Sequence, residues 1–357
     1  MIPLFTACLL TLQSPAEVEG IEPFRVRSEL LSDFAGEEVH LEAGVVVPPD
    51  LAPGVPICFS IHGLGGSYRN AWTQGARVRE WMTEGDYPPM LYVYVDANGP
   101  FGHTVFADSA CNGPWARAFV EELVPAIEEF FEAGGSPEAR FLTGHSSGGW
   151  ASLWLQVQEP GFFGGAWATA PDSVDFRDLN GLDLYTFDNA YVDPDGHEIP
   201  MLRQGAEFVM TSRELSALPE YDVQLLSSEA AFGPRGPDGR PRRLFDRATG
   251  AIDPEVARAW RAYDLGRILR EREDELRAPL AGKLHVFVGS HDTYRLEGAV
   301  RLLGADLARR KWDATVVVAE GRDHQDLFRP HPELWPRLLT RIHREMWATH
   351  LASKETR

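Results

Sequence analysis

Residues 139–150 read Ala-Arg-Phe-Leu-Thr-Gly-His-Ser-Ser-Gly-Gly-Trp, and the fold turns on this stretch. Ala139 to Thr143 reads as a short strand, and Trp150 to Gln158 as a helix. Between them lies Gly144-His145-Ser146-Ser147-Gly148-Gly149. A serine held at a tight strand-to-helix turn needs small neighbours two positions away on each side, because strand and helix approach closely there. Gly144 and Gly148 meet that need around Ser146. The same requirement around Ser147 would call for glycine at 145, where His145 stands. The turn lifts the Ser146 hydroxyl above the strand end and leaves the amide of Ser147 at a helix N-terminus.

Outward from this turn, strands and helices alternate, which predicts an α/β fold with a mostly parallel central sheet flanked by helices. Upstream, Phe24 to Leu31 and Val39 to Val47 read as strands able to pair antiparallel. Val55 to Ile61 reads as a third strand, Tyr68 to Thr83 as a helix, and Met90 to Val95 as a strand covered on both faces. A helix from Pro114 to Glu132 is expected, with Phe119, Leu123, Ile127 and Phe130 inward and a kink at Pro125. Downstream, Gly165 to Thr169 is a strand, and then the rhythm stops. Residues 172–282 show no βα alternation. Asp193-Pro194-Asp195-Gly196 marks a turn within a hairpin, residues 233–241 read as a mobile loop, and Asp253-Pro254 opens a helix running to about Leu276. A structureless loop of that length is foreign to a compact domain, so the stretch reads as a cap-like insertion over the sheet. Strands return at Leu284 to Val288 and Ala314 to Ala319. The helix between them turns Leu296, Val300, Leu303 and Leu307 to one side. A last helix begins at Pro332 with Trp335, Leu338, Ile342 and Met346 inward. Residues 20–357 thus read as one domain with an insertion at about 172–282.

Serine is a weak nucleophile and needs a base within hydrogen-bond reach. Of eleven histidines, His324 follows the last strand in a loop, where such a base belongs. His285 sits inside a strand and reads as structural, and His62 and His145 flank backbone motifs that they would orient. The base needs a carboxylate to hold its tautomer. Asp292, just past the penultimate strand, completes the order Ser146, Asp292, His324. Asp172, after the preceding strand, is the second candidate, while Asp323 is too near His324 in sequence to reach its far nitrogen. An oxyanion needs two donors. Ser147 N–H is one, and the loop His62-Gly63-Leu64-Gly65-Gly66 supplies the other through Leu64, with Gly65 as the alternative.

Composition sets outer limits. The formal charge is −19, from 53 acidic against 34 basic residues, which opposes binding to nucleic acid. The three cysteines (8, 58 and 111) form no CxxC pair. Cys58 reads as a small buried hydrophobe, and a disulfide from it to Cys111 has no support in the pattern. HExxH is missing, which argues against a metal hydrolase. No segment carries the ~20 apolar residues of a membrane span. Residues 1–19, with the apolar run Ile2 to Leu12 and Ser14-Pro15-Ala16, resemble a secretory signal peptide without its basic start. This predicts export to a periplasm or the exterior. An apolar tail packed on the body, in a cytoplasmic protein, is the alternative.

The chain resembles the esterase group of α/β-hydrolases that includes esterase D-like, feruloyl-esterase-like and enterochelin-esterase-like enzymes. The resemblance rests on HGLGGS (62–67), VYVDANG (93–99), FADSACNGPW (106–115), EELVPAIEEF (121–130), GHSSGG (144–149) and the late Asp292 and His324. It implies the α/β-hydrolase fold and cofactor-free hydrolysis of carboxylic esters. It carries the nucleophile to Ser146, the acid to Asp292 and the base to His324. Ser147 stands where the group often has methionine, and the resemblance covers most of residues 39–171 and 283–350 without extending over the 172–282 insertion. The expected substrate is a small-molecule or carbohydrate-linked ester. Two other readings stay open: an acyltransferase of the same fold, and a non-catalytic carbohydrate-binding relative using Trp72, Trp115, Trp150 or Trp260 as stacking platforms. Oligomeric state is not readable from the sequence.

Overall fold

A computed structural model describes residues 18–330 and 337–355. The leader expected at 1–19, apart from its last two residues, lies outside the described residues, as do Cys8 and the start of the last helix at Pro332 and Trp335.

Eight strands form the central sheet: β1 Ile21–Ser28, β2 Val39–Val46, β3 Ile57–Ile61, β4 Leu91–Val95, β5 Arg140–His145, β6 Gly165–Thr169, β7 Leu284–Gly289 and β8 Ala314–Ala319. Their order across the sheet is β1-β2-β4-β3-β5-β6-β7-β8. β2 runs antiparallel to β1 and β4, and β4, β3, β5, β6, β7 and β8 run parallel. This is the α/β-hydrolase fold. β4 is buried along its whole length, as a strand covered on both faces must be. Because β3, β5, β6, β7 and β8 all point the same way, the segments after them open at one sheet edge. Residues 62–66, Ser146, Asp172, Asp292 and His324 follow those five strands in turn, at the edge where open α/β sheets hold ligands.

Upstream of β5, two expectations about local structure are corrected. The first strand stops at Ser28 instead of continuing to Leu31. Ser28 Oγ accepts from Leu31 N–H at 3.0 Å and caps a helix, Glu29–Ala35, which closes on Gly36 with φ 73°. In the helix before β5, Phe131 is inward and Phe130 is 66% exposed. The reason is a π-helical turn, Phe119–Leu123, between the α-helical pieces Trp115–Ala118 and Val124–Phe131. Pro125 has no N–H to offer Glu121 and its ring would crowd that carbonyl. The wider turn relieves the crowding and keeps Phe119, Leu123, Ile127 and Phe131, spaced by four, on one buried face.

Between β6 and β7 the chain forms a hairpin (Pro200–Gln204 with Glu207–Thr211) and several short helices. A bridge between Val192 and Glu198 closes the Asp193–Gly196 turn. Residues 233–241, read as a mobile loop, are held in a closed turn by the Arg235–Pro241 bridge and a 2.7 Å bond from Gly236 N–H to Arg240 O. The helix expected from Asp253 is broken into Pro254–Trp260, Leu265–Glu271 and Glu273–Leu276, because Asp264 caps a new start by accepting from Arg267 N–H. Charge ties this region to the body. Asp175, fully buried, meets Arg177 at 2.6 Å and Arg270 at 2.5 Å, and both arginines also reach Asp306 on the helix Glu297–Arg309. Cys58 and Cys111 are free thiols, and burial pushes both up from the usual range. Among the described residues, no helix is long and apolar enough to cross a membrane.

His343, on the helix Leu338–Glu355, stacks on Tyr87 with ring centroids 4.0 Å apart, and burial pushes its pKa down from 6.5 to about 4. Folding therefore favours its neutral form. That stability is complete above pH 6.5 and drains away as pH falls toward 4, at about 1.4 kcal/mol per pH unit. Urea unfolding across this window should show a shallower loss of stability in His343→Phe than in the unmodified protein. Parallel curves would contradict the assignment.

Candidate active site

The turn after β5 is built on close contact. A Cβ on Gly148 would lie 2.0 Å from Ile61 O, and one on Gly144 would lie 2.2 Å from Gly148 O. Only glycine lets the helix Ser147–Gln158 begin so near the ends of β3 and β5. Ser146 takes φ 58° and ψ −125°, a strained backbone for a residue with a side chain. Its N–H donates to Thr169 O of β6 at 3.0 Å, which holds the turn in place. Ser146 is half-buried, and Ser147 is buried. Ser147 N–H, the first amide of the helix, donates to no acceptor among the described residues, and neither does Leu64 N–H or Gly65 N–H.

The 62–66 loop packs on that turn, with a Cβ on Gly63 falling 3.3 Å from Ser146 Cβ. Two buried histidines set its shape. His62 Nδ1 lies 2.7 Å from Gly63 O, and its Nε2 accepts from Ala97 N–H at 3.0 Å. His103 Nε2 bonds to His62 O at 2.8 Å, and its Nδ1 accepts from Val105 N–H. Burial holds His103 down to about 3, so it is neutral at working pH.

Asp292 and His324 meet at the ends of β7 and β8. His324 Nδ1 lies 2.7 Å from Asp292 Oδ2, and the two side chains are 3% and 0% exposed. Asp292 Oδ1 accepts from Tyr294 N–H at 2.9 Å, so both carboxylate oxygens have donors. Gly289 makes the approach workable. A Cβ there would lie 2.2 Å from Arg322 O, and Ser290 Oγ accepts from Gly321 N–H in the same loop. On the other side, the rings of His145 and His324 are 4.4 Å apart. Burial, then the neighbouring His324, keep His145 down to about 3, so it packs as a neutral ring. His285 stacks flat on Trp167 at 4.3 Å, a packing role. Asp323 accepts from Gln325 N–H and Asp326 N–H and shapes the loop.

Asp172 lies where sequence alone could not put it. Its Oδ1 accepts from Ser146 Oγ at 3.2 Å and its Oδ2 from Ser147 Oγ at 2.7 Å. Burial raises its pKa against the pull of the Ser147 hydroxyl and of His324. The described residues contain no hydrogen bond between Ser146 Oγ and His324. The serine hydroxyl is turned to Asp172, and His324 lies close enough to act on the charge of that same carboxylate. Thus Ser146, Ser147, Asp292 and His324 gather at one edge, and Asp172 joins the serines instead of the imidazole. His103, Tyr221 and Tyr294 around the site carried no sequence signal, since each comes from a segment without a periodic pattern.

Trp115, Trp150 and Trp260 are buried in the core, which removes three of the four proposed stacking platforms. One group of described side chains could hold a metal, namely Asp193, Asp195 and His197. It lies on the turn at Asp193–Gly196, where Asp193 already accepts the N–H groups of Asp195 and His197.

A family model described as "Putative esterase" matches residues 41–264. No curated protein matches the chain. Among solved structures, a ferulic acid esterase is 13% identical with a TM-score of 0.54, over 85% of this chain and 92% of that one. S-formylglutathione hydrolase from Agrobacterium tumefaciens is 17% identical with a TM-score of 0.52, over 94% and 97%. FphF, a fluorophosphonate-binding serine hydrolase of Staphylococcus aureus, is 13% identical with a TM-score of 0.51, over 92% and 98%. At these identities the likeness concerns the fold. The family match spans more than half of the sequence, and with the serine turn it leads to one conclusion: the chain belongs to the esterase family of α/β-hydrolases and is a serine esterase, a carboxylic ester hydrolase.

Proposed function

We propose that this esterase works through an acyl-enzyme. Ser146 is the nucleophile, His324 the general base, and Asp292 the carboxylate that orients the base. The backbone N–H groups of Ser147 and Leu64 form the oxyanion hole, and residues 172–282 form a cap inserted into one α/β-hydrolase domain. The observation that carries this reading is the buried 2.7 Å pair of His324 and Asp292 at the edge that holds the serine turn. The two amides left without acceptors support the oxyanion hole.

The chemistry follows from these positions. The Ser146 hydroxyl rotates from Asp172 toward His324 Nε2 and gives up its proton there as Oγ adds to the ester carbonyl carbon. Nδ1–H stays bonded to Asp292, which stabilises the imidazolium. The carbonyl oxygen becomes an oxyanion and accepts the two amides. When the intermediate collapses, the ester C–O bond breaks and the alcohol leaves with the proton from Nε2. Water then repeats the sequence on acyl-Ser146 and releases the carboxylic acid.

Short-chain aryl esters, feruloyl sugars, acetylated xylan and acyl-glutathione form the first substrate panel, which also covers the carbohydrate-linked esters. A fluorophosphonate probe should label the unmodified protein at Ser146, and Ser146→Ala should lose both label and turnover. Normal turnover in that variant would refute the nucleophile. Asp292→Asn leaves His324 without its acceptor and should lower kcat by about 10³–10⁴ with a small change in KM. A loss under tenfold would remove Asp292 from the role. Gly289→Ala pushes against Arg322 O and displaces the His324 loop. A misplacement near 1 Å lowers kcat by about 10², and steady-state kinetics with unchanged KM would separate this from a binding defect.

A further inference from the structure

Buried carboxylates elsewhere in this protein have evident partners. Asp175 meets Arg177 and Arg270, Glu229 meets Arg247, and Glu297 meets Arg203. Asp264 and Asp108 cap helices through backbone N–H groups. Asp172 does neither. Its two donors are serine hydroxyls, one of them on the residue read above as the nucleophile. No Lys or Arg pairs with it among the described residues. Its backbone N–H donates to Ser146 O at 3.2 Å, so the carboxylate is anchored to the serine turn. It is surrounded by protein and still reached by solvent, which puts it in a recess and not in the core.

Two tyrosines lie close enough to Asp172 for its charge to act on their phenols. Tyr294, two residues after Asp292 in the chain, stands edge-on to His324 with ring centroids 5.0 Å apart. Tyr221 comes from the helix Pro219–Phe232 and donates to Met201 Sδ at 3.5 Å. Burial, then the negative charge of Asp172, raise the phenol of Tyr221. Burial, then Asp292 and Asp172, raise that of Tyr294, so both stay neutral. A buried charge calls for a partner. A carboxylate beside neutral aromatic rings is the combination that binds alkylammonium groups, by ion pairing and by cation–π attraction.

We propose that Asp172, flanked by Tyr221 and Tyr294, is a cation subsite beside the nucleophile, and that the preferred substrates are esters carrying an ammonium group near the scissile carbonyl. The proposal rests on the reading of Ser146 as nucleophile and names the substrate class of that site. It also accounts for the resting position of the serine hydroxyl. Ser146 O–H donates to Asp172 Oδ1. An ammonium group that takes over the lone pairs of Asp172 releases the hydroxyl to His324. An uncharged ester leaves an anion beside the developing oxyanion, which opposes the transition state. The net charge of −19 draws cations toward the molecule as a whole.

The test uses paired esters that differ in charge and little in shape. Acetylcholine against 3,3-dimethylbutyl acetate probes the alcohol side, and glycine ethyl ester against ethyl propionate probes the acyl side. In the unmodified protein the charged member of at least one pair should have a kcat/KM about 10- to 100-fold higher. In Asp172→Asn that ratio should fall to about one. A ratio at or below one in both pairs overturns the proposal, and so does a preference that survives Asp172→Asn. A second measurement needs no variant: choline should slow fluorophosphonate labelling of Ser146, and 3,3-dimethylbutanol at equal concentration should not. Equal protection by the two overturns the proposal. Failure of the unmodified protein to label at all strikes the reading of Ser146 itself, which keeps the two failures apart.

Discussion

The contact between Gly148 and the end of β3 is the constraint on which the site depends. With a Cβ at 148 only 2.0 Å from Ile61 O, a side chain would push the helix Ser147–Gln158 away from the sheet. Three features would go with it. Ser146 holds a strained φ of 58° because strand and helix are clamped together on either side of it. The Ser147 amide points from the helix start because no residue intervenes between strand and helix. The 62–66 loop lies against the turn because Gly63 meets His145 O and Ser146 Cβ across a distance that leaves little more than hydrogen. Glycine at 289 does the same service on the other side, letting the His324 loop reach the end of β7.

Around these backbone contacts, the polar groups are arranged so that few charges are free to move. His103, buried, and His145, half-buried, are neutral rings, and they shape the surroundings of Ser146 and His324 without adding positive charge. Asp292 is saturated by His324 and by the Tyr294 amide, which fixes the imidazole's orientation. The arginine cluster at Asp175 and Asp306 anchors the start of the 172–282 segment to the helix before β8, close in the chain to Asp172. Asp172 is the exception in this arrangement, a carboxylate set among hydroxyls in a recess. The proposed cation subsite is the simplest way to give it the counter-charge that the protein itself withholds.

Local pattern determined a good deal. The alternation of apolar runs and helical stripes made the α/β fold legible, and the glycines at 144 and 148 singled out Ser146, because backbone sterics at a strand-to-helix turn act over a few residues. His324 and Asp292 were readable as candidates for the same reason: each directly follows a strand. What stayed hidden depends on contacts between distant segments. Phe130 and Phe131 exchange places because a π-turn forms ahead of Pro125, and periodicity assumes a uniform helix. Asp172 could be named from its position after β6. Whether it would face the imidazole or the serine was decided by the parallel packing of β5 and β6 and by the bond from its own N–H to Ser146 O. Tyr221 and Tyr294 reach the site from segments with no periodic pattern, where many chain paths are compatible with one sequence and only packing against the finished sheet selects among them.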